Sequence, residues 1–290
     1  MVSPKLKIKD SGVTIDKRHV YTRESDGTKM TGMTTITGNV DKPFLSYWYA
    51  KEAIIAVNDN LAEIVELHTN GDKQKLEALL ETCKKAAPTK ANTAKEAGSL
   101  AHKWIENYIG VRIQNPNARK FEDVKPLPPE LIFPDNEESM NAIKAFIAWE
   151  NDHEVEWLAS ELIVASVLDE ETDRKLNIAG TLDAFAIVDG ECTIVDFKTS
   201  KQISPEYYLQ TMGYKMLLSE MIEDEAMHPT TRIILRLPKD GTNYQHVLVD
   251  TDEDFDRETL LKLRDVHRWL VNWENNVKER VNPQIKQWKK

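Results

Sequence analysis

The stretch from Gly180 to Ser200, GTLDAFAIVDGECTIVDFKTS, constrains the fold more than any other part of the sequence. At its centre is the dipeptide Asp189-Gly190, which is typical of the tight two-residue turn that joins two antiparallel strands. Apolar residues flank this dipeptide on both sides, and they are spaced too densely for a strand with one solvated face. The stretch therefore predicts a β-hairpin that is buried on both faces.

The register of this hairpin places two carboxylates opposite each other. If the dipeptide alone forms the loop, counting outward along both strands pairs Asp183 with Asp196, and such partners have Cβ atoms about 4.5–5.5 Å apart. Lys198 points to the same face, because strand side chains alternate and it lies two residues after Asp196. A four-residue loop gives the same register. A three-residue loop would break the pairing and is an open alternative.

Two ionised carboxylates at this distance repel each other unless one is protonated or a cation lies between them. Aspartate oxygens are suitable ligands for Mg²⁺ or Mn²⁺, which often bind one or two carboxylates together with a substrate phosphate. The alternatives are a buried ion-pair cluster of Asp183, Asp196 and Lys198, or a strand edge that is open to solvent. The residues of the hairpin alone leave these interpretations open.

The rest of the sequence predicts a helical N-terminal half that leads into a mixed α/β core. Short strands are expected in the first thirty residues, and helical periodicity runs from about Pro43 to Gly110, which we expect to cap the last of these helices. Residues 114–138 are rich in proline and charge, and they are the best candidate for a domain boundary.

After this boundary we expect a helix, a strand, the hairpin, a helix that begins at Pro205, and a second hairpin with KDGTN as its loop. A last helix is predicted from about Asp252 to Arg280. The fold class is therefore predicted as α/β (α+β), with a mixed central β-sheet flanked by helices. The predicted division is 1–115 and 139–290, with one continuous domain as the alternative.

Composition limits the function classes. The formal charge of −10 argues against a protein that coats nucleic acid through bulk electrostatics, although a local basic groove is compatible with it. No run of 18 apolar residues and no apolar signal-peptide core is present, so we expect no membrane partner and a cytoplasmic location. The chain's two cysteines cannot supply the four ligands of an iron–sulfur cluster, and no phosphate-binding loop indicates a nucleotide cofactor.

The hairpin residues resemble the PD-(D/E)XK nuclease superfamily, in particular its RecB-type and phage exonuclease branch. Gly180-Thr181-Leu182-Asp183 is similar to the G-x-x-D element, and Asp196-Phe197-Lys198 is similar to the D-x-K element. Leu182 stands where the superfamily name has proline. The resemblance implies a restriction-endonuclease-like core.

Further motifs support the same branch. Gln210 and Tyr214 match its Q-x-x-x-Y signature, His102 lies in a segment similar to the helix that carries a metal-binding histidine, and Glu161 stands where another acidic residue is frequent. Each has an ordinary alternative: a surface histidine, a half-exposed strand residue, or helix packing. The resemblance implies that the metal ligands are His102, Asp183, Asp196 and the backbone carbonyl of Phe197. It implies that the catalytic groups are Asp183, Asp196, Lys198 and Glu161. It implies that the substrate is contacted by Gln210, Tyr214, Thr199 and Ser200.

What the resemblance implies is an exonuclease that uses one or two Mg²⁺ or Mn²⁺ ions to hydrolyse linear DNA from its ends. The N-terminal strands and helices, with the His102 helix, would then form part of the substrate groove. The resemblance also implies a single-strand annealing or binding protein as a partner and assembly into a homo-oligomer. The setting that it implies is a bacterial or phage-infected cell in which DNA is recombined or repaired. The alternatives are a structure-selective endonuclease and an inactive nucleic-acid-binding module of the same fold.

Overall fold

The computed structural model describes residues 1–166 and 176–276. The α-helices are α1 (Met33–Thr37), α2 (Pro43–Asp59), α3 (Leu61–Thr69), α4 (Lys73–Lys84), α5 (Ala86–Gln114), α6 (Glu137–Asp152), α7 (Pro205–Met221) and α8 (Glu253–Asn276). The strands are β1 (Val13–Ile15), β2 (Tyr21–Arg23), β3 (Lys29–Gly32), β4 (Val155–Ala165), β5 (Ile178–Val188), β6 (Glu191–Lys198), β7 (Thr231–Arg236) and β8 (Gln245–Leu248).

These strands form one mixed sheet in the order β1-β2-β3-β5-β6-β7-β8, and β4 pairs with β5 as well. Strand β3 runs parallel to β5 and β6 runs parallel to β7, whereas the other pairs are antiparallel. Helix α7 packs across β4 to β7, and α8 packs on α7. The predicted fold class, a mixed sheet flanked by helices, is confirmed. The predicted end of the last helix at Arg280 lies outside the described residues.

The central hairpin has the predicted register. Val188 pairs with Glu191, and Ala184 pairs with Val195, so the loop consists of Asp189 and Gly190 alone. Both loop residues have positive φ, 50° and 93°, as the primed turns require. The predicted two-residue loop is therefore confirmed, and the three-residue loop is wrong. The ladder ends at Ala184 and Val195, however, so Asp183 and Asp196 do not form the predicted cross-strand pair.

One edge of β5 is shared by two strands. Strand β4 covers the other edge from Ala179 to Val188. On the shared edge, within the described residues, β3 pairs with Ile178 and Ala179, and β6 pairs from Ala184 onwards. Residues 180–183, the GTLD motif, therefore have no strand partner on this edge among the described strands. This gap lies inside the sheet, so the backbone N–H and C=O groups of residues 180–183 on this edge need side chains as hydrogen-bond partners.

The apolar core of the sheet lies beneath α7. Its fully buried members include aliphatic and aromatic residues of the strands and of α7, among them Leu158, Leu182, Phe185, Ile194, Leu217 and Leu218. Each such side chain contributes about 1.5–3 kcal/mol through burial. None of the helices in the described part of the chain combines the length and the apolar character that crossing a membrane requires.

The chain divides into two compact units, Met1–Val40 with His102–Lys290, and Asp41–Ala101. The second unit is helical: the Asp72 side chain caps α4 by accepting from the Lys75 N–H, and Lys90 forms an ion pair with Glu52. The predicted division into 1–115 and 139–290 stays a prediction.

The predicted end of a helix at Gly110 is wrong, because α5 continues to Gln114. Gly110 does not adopt the positive φ of a helix cap. Gly110 is instead buried against Met1, and a Cβ added to Gly110 would lie 3.2 Å from the Met1 side chain. A glycine inside a helix is thus explained here by close packing.

A buried ion pair fixes the second half of α5. The Arg112 guanidinium contacts the Glu150 carboxylate of α6, which also accepts hydrogen bonds from Tyr108 and, at 2.8 Å, from the Trp157 indole of β4. Burial raises the pKa of Glu150, and the charge of Arg112 opposes this rise. Because the cluster joins α5, α6 and β4, it determines where α5 presents His102 to the sheet.

Replacing Arg112 by methionine is expected to leave the Glu150 charge buried without its partner, at a cost of about 3–5 kcal/mol in the free energy of unfolding. Without Arg112 the native pKa of Glu150 rises further above its unfolded value. A carboxyl with a raised native pKa lowers stability above its unfolded pKa, and this penalty shrinks as the pH falls. Urea denaturation should therefore give a larger loss at pH 8 than at pH 5.

The matched control is Lys103→Met on the same helix. Lys103 pairs with Glu106 at 2.8 Å, but this ion pair is exposed, so its loss should cost at most about 1 kcal/mol. If both variants lost equal stability, or if the Arg112→Met loss did not depend on pH, the assigned role of the buried pair would be wrong.

Candidate active site

The site forms where β5 and β6 separate. Their ladder ends at Ala184 and Val195, and β6 then continues only beside β7, with Asp196 opposite Ile234. The Phe197 N–H is not lost to the ladder, because it donates to the Asp183 carboxylate at 2.8 Å. The side chain of Asp183 thus replaces a strand as the hydrogen-bond acceptor, and this holds the carboxylate at the gap in the sheet.

Asp196 and Lys198 form an ion pair beside this gap. The Lys198 Nζ lies 2.6 Å from Asp196 Oδ2, which agrees with the predicted position of both side chains on one face. The Asp196 side chain is 1% exposed and that of Lys198 is 15% exposed. The same Nζ lies 4.7 Å from the centre of the Tyr207 ring, a cation–π contact. The ammonium group therefore has two fixed neighbours and a small opening to solvent.

The electrostatics of the pair follow from burial and from Asp183. Burial raises the pKa of Asp196, and the Asp183 carboxylate raises it further, while Lys198 acts in the opposite direction. For Lys198, burial lowers the pKa, but the two carboxylates outweigh burial and raise it overall. Asp196 Oδ1 is buried without a hydrogen-bond partner among the described residues. Such an acceptor is costly unless a donor or a cation reaches it.

Glu161 lies on the other side of β5 from this pair. The register of Ser160 with Ala184 and of Leu162 with Leu182 places Glu161 level with Asp183, although the two do not form a regular pair. Its φ is 49°, a left-handed conformation that is strained for glutamate. Glu161 keeps an exposed surface, but partial desolvation by the surrounding protein raises its pKa to about 7, with further contributions from Asp183 and Glu106.

Helix α5 brings His102 to the same place. Its Nδ1 lies 4.0 Å from Asp183 Oδ2, and its ring meets the Phe197 ring edge to face at 6.2 Å between centroids. The structure therefore brings together all five charged or ionisable residues that the sequence predicts for the site: His102, Glu161, Asp183, Asp196 and Lys198.

The arrangement fits a hard divalent cation. In residues 1–166 and 176–276, no group of three or more histidine, cysteine and carboxylate side chains is close enough to enclose a metal ion. Mg²⁺ does not need such an enclosure, because it keeps several waters and binds one or two carboxylates together with a phosphate. The unpartnered Oδ1 of Asp196, near Asp183, is the kind of ligand that this cation takes.

Tyr214 and Gln210 lie behind the carboxylates. Gln210 Nε2 donates to the Tyr214 hydroxyl at 2.9 Å, and both side chains are buried. Burial raises the pKa of Tyr214 well above its usual value, and Asp196 and Asp183 add to the shift. In this conformation the two side chains support the site from within the protein. Their predicted contact with a substrate stays a prediction.

Gly180 is required for this packing. A Cβ added to Gly180 would lie 2.8 Å from Cε1 of Tyr214 and 3.0 Å from Cβ of Met33. The glycine of the G-x-x-D element therefore allows the tyrosine of the Q-x-x-x-Y signature to pack against β5. Two motifs that are separate in the sequence meet at one contact.

Thr199 and Ser200 follow β6 and are half-buried. Ser200 Oγ donates to the Gln202 carbonyl at 2.8 Å, and the Ser200 carbonyl accepts from Arg236 Nε at 2.8 Å. These bonds hold the segment just after Lys198. The predicted contact of Thr199 and Ser200 with the substrate stays a prediction.

Two tyrosines at the site are not among the residues that the sequence predicts. Tyr207, under Lys198, stands three residues before Gln210 on α7, so the helical spacing of the Q-x-x-x-Y signature could have indicated it. Tyr21 bonds Thr181 of the G-x-x-D element, with 3.0 Å between the two hydroxyl oxygens. This contact joins residues far apart in sequence, and no local signal indicates it.

The family model described as the PD-(D/E)XK nuclease superfamily matches residues 73–284, which is more than half of the chain. The protein belongs to the PD-(D/E)XK nuclease superfamily. This membership implies a nuclease that hydrolyses nucleic acid, and members of the superfamily typically use divalent metal ions. The resemblance to the superfamily is confirmed, while the RecB-type and phage exonuclease branch stays a prediction.

A solved structure titled "Crystal structure of SSO0001" matches 60% of this chain and 74% of its own, at 14% sequence identity and a TM-score of 0.28. At this TM-score the likeness supports no statement about this chain. No curated protein matches the chain in sequence.

Replacing Gly180 by alanine is expected to displace Tyr214 and to lower the free energy of unfolding by about 1–3 kcal/mol, as overpacking does in a filled core. Gly110→Ala is the matched control, since the added methyl group meets only the flexible end of Met1 and improves helix propensity. Thermal melting of both variants tests the contact. A Gly180→Ala variant as stable as the wild type would show that Tyr214 does not depend on this glycine.

Replacing Glu161 by asparagine is expected to raise the free energy of unfolding by about 1 kcal/mol, because asparagine tolerates a left-handed φ better and carries no charge. Glu156→Asn is the control on the same strand: Glu156 lacks positive φ and pairs with Lys5 at the surface, so no gain is expected. Urea denaturation in EDTA measures both. Equal effects at the two positions would refute strain at Glu161.

Proposed function

We propose that this protein is a divalent-metal-dependent deoxyribonuclease that degrades linear DNA from its ends. The observation that carries the proposal is the buried Asp196–Lys198 pair beside Asp183, at the gap in the sheet. Membership of the superfamily supports phosphodiester hydrolysis, and the resemblance to the RecB-type and phage branch supports action at ends.

Asp183 and Asp196 are the residues that would hold the Mg²⁺ or Mn²⁺, assisted by His102, Glu161 and the backbone carbonyl of Phe197. Their oxygen and imidazole donors suit these cations. When bound, such an ion acts as a Lewis acid that stabilises charge on a phosphate and makes nearby water more acidic.

Lys198 would supply a fixed positive charge to the reaction. Its Nζ is held by Asp196 and lies over the Tyr207 ring, so it needs little reorganisation when negative charge develops on the phosphate. Electrostatic interactions are stronger in such a poorly solvated place than in water. A small exposed fraction leaves the ammonium group within reach of a substrate oxygen or of the attacking water.

Other groups would keep the site in shape and hold the substrate. Gln210 and Tyr214 would support the carboxylate strands from behind, and Thr199 and Ser200 would contact the DNA strand near Lys198. The N-terminal strands and helices would form part of the substrate groove. Partnership with a single-strand annealing or binding protein, assembly into a homo-oligomer, and a cytoplasmic role in recombination or repair in a bacterial or phage-infected cell rest on the resemblance alone.

The proposed activity is tested with end-labelled linear DNA and with covalently closed circular DNA, each incubated with Mg²⁺, Mn²⁺ or EDTA. We expect degradation of the linear DNA only, in the presence of either metal and not in EDTA. Cutting of closed circles would establish an endonuclease instead. Binding without cleavage under every condition would establish an inactive binding module.

Site variants show whether this pair carries the activity. Lys198→Ala and Asp196→Asn are each expected to reduce cleavage by about 10²–10³-fold or more, the loss seen when a group that stabilises transition-state charge is removed. Lys201→Ala, an exposed lysine three residues further on, should keep wild-type cleavage. A Lys198→Ala protein as active as the wild type would refute the assignment.

A further inference from the structure

A groove of about 570 Å³ lies between the C-terminal half of α8 and the segment from β2 to β3. Its basic and amide-bearing lining residues are His19, Lys29, His267, Arg268, Asn272, Asn275 and Asn276. None of the lining residues in the described part of the chain is acidic, although the whole sequence has 48 acidic and 38 basic residues. In a protein of charge −10, this lining differs in sign from the average surface, so it favours an anionic ligand.

Among the described residues, the two permanent cations that line the groove have no ion-pair partner. Lys29 and Arg268 are both exposed, and neither forms an ion pair within the parts of the chain that are described. Other basic side chains are neutralised locally, as Lys5 is by Glu156 and Lys262 by Glu258. Carboxamide groups add hydrogen-bond donors beside the cations. Cations with neighbouring neutral donors are what proteins present to phosphate oxygens.

The groove lies beside the strand that carries Asp183. Gly32, which lines it, pairs with Ala179, and Asp183 lies four residues further along β5, about 13 Å away at about 3.3 Å per residue. The Tyr21 ring fills the space between them: an added Cβ on Gly32 would lie 3.4 Å from this ring, and the Tyr21 hydroxyl contacts Thr181. The separation corresponds to a few nucleotides of a strand.

We propose that this groove binds the phosphate backbone of the strand that is cut, a few nucleotides from the scissile phosphate. The inference rests on the proposed nuclease function and adds to it the path of the strand, from Asp183 past Tyr21 to Lys29 and Arg268. The groove has the volume of pockets that hold one small organic ligand, which is room for a short piece of a single strand.

The test compares the double variant Lys29→Gln/Arg268→Gln with the wild type. Binding of a fluorescein-labelled single-stranded oligonucleotide of about twenty nucleotides is measured by anisotropy in EDTA, from about 0.05 to 0.3 M salt. Each lost phosphate contact lowers the salt slope by about 0.7 for a single strand, so the slope should fall by about 1.4. At about 0.1 M salt this corresponds to a Kd about 25-fold higher.

The matched control is Lys5→Gln/Lys262→Gln, which removes two exposed charges that already have acidic partners. Its salt slope and Kd should remain those of the wild type. Thermal melting shows whether each double variant is folded. A groove variant that is folded and binds with the wild-type salt slope would overturn the inference, and so would an equal loss in the control.

Cleavage separates this inference from the proposed function. With metal, the KM of the groove variant should rise more for a strand of about twenty nucleotides than for a dinucleotide, which is too short to span the distance from Asp183 to Lys29. If the wild type cleaves DNA and the variant shows no such length dependence, the groove assignment alone fails. If the wild type cleaves nothing but the salt slopes differ as expected, the nuclease proposal fails and the groove binds nucleic acid without cutting it.

Discussion

The hydrogen bond from the Phe197 N–H to the Asp183 carboxylate is the contact on which the geometry of the site depends. Backbone groups inside a sheet must find partners, and β6 leaves β5 at this point. Because a side chain accepts the bond, the sheet can open without leaving an unpaired N–H. The same bond holds the Asp183 carboxylate beside β6 and 4.0 Å from Nδ1 of His102.

The charged groups of the site destabilise the part of the fold that holds them. Asp183 and Asp196 repel each other, Glu161 has a strained backbone, and Lys198 is largely buried. The surrounding apolar strands and the packing of Tyr214 against Gly180 keep these groups in place. Arrangements of this kind are typical of sites where a ligand relieves the repulsion, and they are rarely retained for stability alone.

The sequence predicted the hairpin and its register because a two-residue turn fixes every pair that follows it. It also predicted which residues meet at the site, through the motifs of the resemblance. It could not predict that β3 joins β5 next to the site, since two short pairs link residues about 150 positions apart. The left-handed Glu161, the continuation of α5 beyond Gly110 and the basic groove likewise depend on tertiary contacts that leave no local pattern.

The two-residue loop at Asp189 and Gly190 sets the strand register on which the chemistry of the site depends. Strand side chains alternate with a period of two, so a slip of this pairing by one residue would turn Asp196 and Lys198 toward the opposite face while preserving the composition of both strands. Loops elsewhere on the surface can change length without moving these groups. In this fold the register that one turn sets decides which face of the sheet carries Asp196 and Lys198.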